Sequence, residues 1–163
     1  MAIAYIALGS NLKQPETQLQ RAFSAIAAMP HTQLLIKSSL YRTAPIGYAP
    51  EKLSEVPDFI NAVVKVSTTL PAEMLLETLL SIEHSFGRER PYRNAPRVLD
   101  LDLLMYDNIT MNTPQLTLPH PRMHERGFVI LPLAEIAPEF ILPNGGSVVE
   151  LARQFEAQGI QKL

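Results

Sequence analysis

The chain has 163 residues, of which 47% are apolar and 18% charged, and it contains no cysteine. That length predicts one domain, 1–163, with a core of its own. Without cysteine there is no disulfide and no thiolate chemistry, and a net charge of −2 gives no bulk basic footprint for nucleic acid. No apolar run approaches membrane-spanning length.

Residues 2–8 are rich in Ile, Tyr and Ala and predict a first strand rather than a signal peptide, because no basic segment precedes them. A cytoplasmic protein is expected. Gly9-Ser10-Asn11 reads as a turn. Residues 15–29 place Leu19, Ala22, Phe23, Ile26 and Ala27 at helical spacing, with Pro15 in the first turn and Pro30 after the end. Residues 33–43 alternate as a second strand. Residues 44–57 hold three prolines and a glycine and read as a long loop. A third strand is predicted over 58–68. A helix follows over 71–86, with Met74, Leu75, Leu79 and Ile82 inward and Gly87 ending it. An arginine-rich loop, 87–96, precedes a fourth strand over 99–106. Helices near 125–136 and 148–157 close the chain. The order is β-α-β-β-α-β with a C-terminal extension. It predicts an α+β, ferredoxin-like fold, an antiparallel sheet under helices.

The segment RVLDLDLLMY, 97–106, poses a chemical problem. Asp100 and Asp102 share one face of an apolar strand, and desolvating both is costly unless positive charge meets them. Spacing alone leaves two readings: a divalent-metal pair, or structural pairing with arginine. Between Lys65 and Lys162 there is no lysine, only seven arginines, and six of these flank the acidic strand. Arg88, Arg90 and Arg97 precede it; Arg122 and Arg126 follow, among His120 and His124. Arginine forks suit phosphate oxygens, and Mg²⁺ is commonly held by one or two carboxylates plus phosphate. Pro121 directly after His120 disfavours a helical two-histidine zinc site. There is no GxxxxGK[ST] and no GxGxxG, so a nucleotide enzyme built on this chain would have to use side-chain arginines and metal rather than a glycine cradle.

Five segments carry a resemblance. YIALGSNL (5–12), YRTAPIG (41–47), DFINAVV (58–64), RNAPRVLDLDLLMY (93–106) and LPHPRMHERGFVILPLAEIAP (118–138) resemble, in order, the signatures of the 6-hydroxymethyl-7,8-dihydropterin pyrophosphokinases of folate biosynthesis. The resemblance implies a ferredoxin-like fold and a Mg²⁺-dependent transfer of pyrophosphate from ATP to the pterin hydroxymethyl group, leaving AMP. It implies that Asp100 and Asp102 bind two Mg²⁺ ions. Arg88, Arg90, Arg97, Leu103, Thr117, His120 and Arg126 match ATP positions, and Arg88 and Arg97 match those that stabilise charge during transfer. Thr43, Ala44, Ile46, Phe59, Asn61 and Phe128 match the pterin site. There two aromatic faces suit a flat bicycle and an amide suits its edge. Asn94 stands about where many relatives carry tryptophan, Phe59 where tyrosine is common, and Pro121 where some have tyrosine. The expected partners are ATP and the pterin, with no nucleic acid or membrane, and a monomer is expected. Both long loops are expected to close on substrate. Asp102→Ala is expected to remove turnover and to leave the fold intact or stabilised. A non-catalytic anion-binding module and a γ-phosphoryl kinase are the competing readings. Product analysis separates them.

Overall fold

The computed structural model describes residues 1–11, 14–43, 58–87, 98–143, 146–156 and 158–163. Ala44, Ile46, Arg88, Arg90 and Arg97, and the closing loops expected around them, lie outside the described residues.

Strand β1 (Ala2–Ser10) is buried along almost its whole length because both of its faces are covered. In chain order it is followed by α1 (Pro15–Ala27), β2 (Thr32–Lys37), β3 (Tyr41–Thr43), β4 (Phe59–Thr68), α2 (Ala72–Phe86) and β5 (Asp100–Tyr106). Then come a two-residue pair, β6 (Met111–Asn112) and β7 (Thr117–Leu118), a 3-10 turn at Met123–Glu125, α3 (Gly127–Ile136), α4 (Val148–Phe155) and β8 (Gln161–Lys162). The main sheet runs β5-β1-β4-β3-β8, and β2 also pairs with β4. Each of these pairings is antiparallel.

Two apolar clusters sandwich the sheet. On one face, Leu19, Phe23 and Ile26 of α1 and Leu75 and Leu79 of α2 pack on Ile6, Leu8, Val64, Leu101 and Leu103. On the other, Val129, Ile130 and Leu133 of α3 and Val148 and Ala152 of α4 pack on Tyr5, Val63 and Leu104. The C-terminal extension is therefore a second layer that covers the far face of the sheet. Met74 does not face inward as the periodicity suggests: it is 51% exposed. Among the described residues no helix is long and apolar enough to cross a membrane.

Two local readings are corrected, the first turn and the second strand. Gly9 and Ser10 do not turn; they continue β1, because both keep partners on β4 and Gly9 also pairs with β5. Gly87 ends α2 as expected, with an extended φ of −157°. A Cβ there would lie 3.1 Å from Val98 Cγ2, so Gly87 packs against Val98, just before β5. The predicted second strand is broken into β2 and β3.

That break has a physical cause. Lys37 pairs with Val64 and Tyr41 with Asn61, so three residues face two. The Ser38 N–H donates to the Val63 carbonyl at 2.9 Å. The Ser38 hydroxyl then accepts from the Val63 N–H at 3.0 Å, standing in for a backbone carbonyl. An earlier irregularity lies between Leu34 and Ile36. Each one-residue excess reverses which face a side chain takes. Two of them cancel, so Leu34 and Leu40 still pack on the α1 side while Tyr41 and Thr43 face α3.

Candidate active site

The antiparallel register brings the site residues onto one face of the sheet. Gly9 is opposite Asp100 on β5 and opposite Asn61 on β4. Ala7 is likewise opposite Asp102 and Val63. Tyr41 is opposite Asn61, and Thr43 opposite Phe59. Directly opposed residues in an antiparallel pair share a face. One row therefore reads Asp100, Gly9, Asn61 and Tyr41 across four strands. Leu99, Leu101 and Leu103 turn the other way, into the α1/α2 core.

Above this row lies an open cleft with about 810 Å³ of empty volume. It is lined by Thr43, Phe59, Asn61, Asp100, Asp102, Arg126 and Phe128, with Ala7, Leu8 and Gly9 as its floor. Seven of the predicted site residues thus meet in one place. Leu103 does not reach it with its side chain, which is 3% exposed in the opposite core. Thr117 sits exposed on β7. His120 lines a separate hollow with Pro119, Pro121, Met123 and His124.

The floor was not marked as a site by the sequence. Ala7 and Gly9 are the smallest residues on the cleft side of β1. A Cβ on Gly9 would come within 3.0 Å of Asn61 Oδ1. Glycine at this position leaves the Asn61 carboxamide room to lie beside β1. That carboxamide is buried, and its Nδ2 donates to Thr43 Oγ1 at 3.0 Å. The bond fixes the amide orientation and leaves Oδ1 toward the glycine. The signal was present: Gly9 is two residues after Ala7 and shares its face, once the strand is known to continue.

At the acidic end, Arg126 Nη1 lies 3.8 Å from Asp102 Oδ2. The Arg126 guanidinium also stands 5.8 Å above the Phe128 ring. One arginine, at the start of α3, thus joins the carboxylates to the aromatic wall. The Asp102 side chain is 47% exposed. Its removal therefore does not relieve a buried charge, and the expected stabilisation on Asp102→Ala has no basis in the structure. The Ser10 hydroxyl donates to the Val98 carbonyl and ties β1 to the segment entering β5. On the other edge of β5, the Leu101 N–H between the two aspartates donates to Glu83 Oε2 of α2 at 2.6 Å.

His120 is held by its own backbone, whose N–H donates to the Leu104 carbonyl at 2.8 Å. Its Nδ1 accepts from the Arg122 N–H at 3.2 Å. Burial, chiefly, with Arg126 and Arg122, pushes its pKa below the ordinary imidazole value, while Asp102 pulls the other way. The ring is therefore neutral at pH 7, with its proton on Nε2.

Asp100 and Asp102 offer oxygen donors only. Among the described residues no group of three or more His, Cys, Asp or Glu is placed to hold a metal. A carboxylate pair that leaves most coordination positions to water or phosphate suits Mg²⁺ and does not suit a structural zinc.

Residues 5–138 match the family model of 7,8-dihydro-6-hydroxymethylpterin-pyrophosphokinase (HPPK). The 2-amino-4-hydroxy-6-hydroxymethyldihydropteridine pyrophosphokinase of Haemophilus influenzae is 45% identical over 163 residues, covering 100% of this chain and 99% of its own. Its counterpart from Pseudomonas aeruginosa is 40% identical over 159 residues, covering 98% and 95%. The crystal structure of Plasmodium falciparum HPPK-DHPS with pteroate shares the fold, with a TM-score of 0.69 at 14% identity. That alignment covers 94% of this chain and 42% of the longer Plasmodium chain. The chain belongs to the 7,8-dihydro-6-hydroxymethylpterin-pyrophosphokinase family.

Proposed function

We propose that the cleft is where this chain carries out the family's reaction: transfer of pyrophosphate from ATP to the hydroxymethyl group of 6-hydroxymethyl-7,8-dihydropterin, a step of folate biosynthesis. The observation that carries the reading is the single row on the sheet. With Phe59 and Asp102 beside it and Arg126 and Phe128 over it from the start of α3, it puts an amide and two aromatic rings at one end and two carboxylates with an arginine at the other, within one cleft. A flat heterocycle fits the first end and an anionic, metal-bound chain fits the second.

In this reading Phe59 and Phe128 face the pterin ring, and Asn61, held by Thr43, meets its amide-like edge. Asp100 and Asp102 hold two Mg²⁺ ions, which supply charge neutralisation for the triphosphate when they arrive with ATP. Arg126, paired with Asp102 in the free protein, exchanges that partner for a phosphate oxygen. Neutral His120 donates from Nε2 to the same chain of phosphates. Arg88, Arg90 and Arg97 complete the phosphate contacts, and Arg88 and Arg97 stabilise charge during transfer. Their nearness in sequence to Asp100 and the match to the family's motif support that assignment. Leu103 and Thr117 serve the adenine end through backbone atoms. Ala44 and Ile46, directly after Thr43, extend the pterin wall. The pterin oxygen bonds to the β-phosphorus, the bond from that phosphorus to the α,β-bridging oxygen breaks, AMP leaves, and the hydroxyl proton passes to solvent.

The antiparallel order β5-β1-β4, with β2 and β3 on the far edge of β4, supports the ferredoxin-like reading of the sheet. We take the chain as a single-domain monomer, and ATP as donor supports a cytoplasmic enzyme.

The test is product analysis with ATP, Mg²⁺ and the reduced hydroxymethylpterin. AMP supports the reading, ADP means a γ-phosphoryl kinase, and no turnover means a binding module. Asp102→Ala is expected to lower kcat by a factor of about 100 or more. Its stability should change by less than about 1 kcal/mol, because a half-exposed ion pair contributes little. Activity retained without this carboxylate would refute the metal assignment.

A further inference from the structure

One carboxylate outside the cleft, on the helix that carries Phe128, gathers donors from the strand that carries Thr43 and from the residues beside it. Glu135, in the last turn of α3, accepts from the Ser39 N–H at 3.0 Å on Oε1 and 3.1 Å on Oε2. It also accepts from the Ser39 hydroxyl at 2.9 Å and from the Tyr41 hydroxyl at 2.7 Å. Lys162 Nζ of β8 stands 4.0 Å away. The Tyr41 ring is buried. Partial burial alone would raise the Glu135 pKa, yet the hydrogen bonds from Tyr41 and Ser39 and the Lys162 charge bring it below the ordinary value. Tyr41 is shifted the opposite way, by burial first and then by Glu135, so its hydroxyl stays a donor.

What this knot joins matters more than its strength. Glu135 is seven residues after Phe128 on the same helix, so the two lie on one stripe. They are about 10 Å apart along the axis. Tyr41 is opposite Asn61 and two residues before Thr43, on the cleft face of β3. The helix that carries Phe128 is thereby pinned to the strand that carries Thr43, next to the strand that carries Asn61 and Phe59. β8 backs the same strand from outside, pairing Lys162 with Tyr41.

We propose that Glu135 is a positioning residue for the pterin end of the cleft: its bonds to Ser39 and Tyr41 set the distance and tilt of Phe128 over the Thr43–Asn61–Phe59 surface. It is not among the described residues that line the cleft and takes no part in the chemistry. The inference rests on the cleft being the pterin site. Its consequence is selective. The acidic end of the cleft hangs on β1 and β5 and shares only Arg126 with α3, so ATP binding depends on the knot less than pterin binding does.

The experiment compares Glu135→Gln, Tyr41→Phe and the double variant by binding and steady-state kinetics, with Asn61→Ala alongside. Glu135→Gln is expected to raise Kd and KM for the pterin by about tenfold, the scale of one charge-assisted hydrogen bond. The Kd of a Mg-ATP analogue should change by clearly less, and kcat at saturating pterin should hold. Tyr41→Phe, which keeps ring volume, should shift the pterin KM in the same direction by less. The double variant should fall short of the product of the single effects, because both remove one bond. Equal losses for pterin and ATP, or a lower Tm with an unmoved pterin KM, would mean the knot is structural only and overturn the proposal. If Asn61→Ala weakens pterin binding while Glu135→Gln and Tyr41→Phe do not, the proposal fails alone. If Asn61→Ala also leaves pterin binding intact, the reading of the cleft fails and takes the proposal with it.

Discussion

At the scale of single residues, the smallest side chains decide the shape of the site. Gly9 lies between two functional strands, with Asp100 opposite on one side and Asn61 on the other. Its φ is not in the left-handed region, so backbone freedom is not the reason for glycine here. The reason is space: an added Cβ meets Asn61 Oδ1 at 3.0 Å. The carboxamide cannot swing freely away, because its other end is bonded to the buried Thr43 hydroxyl. Gly9→Ala should therefore displace the amide by a few tenths of an ångström while leaving the β1 ladder intact. Pterin affinity is expected to fall by about tenfold, since catalytic and binding groups tolerate little misplacement. Binding of a Mg-ATP analogue should be unchanged. Calorimetric titration of each ligand decides it, and an unaltered pterin Kd would show that the glycine is merely tolerated.

At the scale of elements, the break between β2 and β3 governs where Thr43 and Tyr41 point. Ser38 is buried, and its hydroxyl is the acceptor for the Val63 N–H. Ser38→Ala leaves that backbone donor without its partner in a buried place. The cost of such an orphan is about 1–3 kcal/mol. For a chain of this size that corresponds to a Tm lower by roughly 2–10 °C. Urea unfolding with an unchanged m-value should give the same figure. A stability equal to the parent's would mean that β2 and β3 have merged into one regular strand and the Val63 N–H has found a carbonyl. This element also shows where sequence reasoning stops. Residues 33–43 alternate so cleanly that a continuous strand is the natural expectation. The alternation survives because two one-residue excesses on the same side restore the parity, and that leaves no trace in a periodicity. Two-residue strands such as β8 are invisible for a simpler reason, since no period can be read from two residues. Gly9 was misplaced in a turn because Gly-Ser-Asn is strong turn chemistry. Here pairing on both sides of β1 outweighs it.

At the scale of the whole molecule, the lining of the cleft comes from β1, β3, β4, β5 and α3, spanning Ala7 to Phe128 in the chain. The chemistry-bearing residues were legible because carboxylates on an apolar strand and arginines without lysines are anomalies of composition. Their meeting was not legible, because it depends on strand register, which local pattern does not encode. A site assembled from so many elements should couple ligand binding to global stability. Any ligand that binds the folded state alone stabilises it by mass action, about 2.7 kcal/mol at a hundred times Kd. For this chain length the Tm should rise by roughly 5–10 °C. The metal requirement has a definite sign. ATP is strongly anionic, and Asp100 and Asp102 stand at the end of the cleft that would receive its phosphates. Without a divalent cation the aspartates repel the triphosphate, and Arg126 is shared between them and the phosphates. The Tm shift should therefore be large with a non-hydrolysable ATP analogue plus Mg²⁺ and small with the analogue in EDTA. In Asp102→Ala the difference between those two conditions should shrink, because one metal ligand and one repulsive charge go together. An equal shift with and without Mg²⁺ in the parent chain would place the nucleotide away from the aspartates.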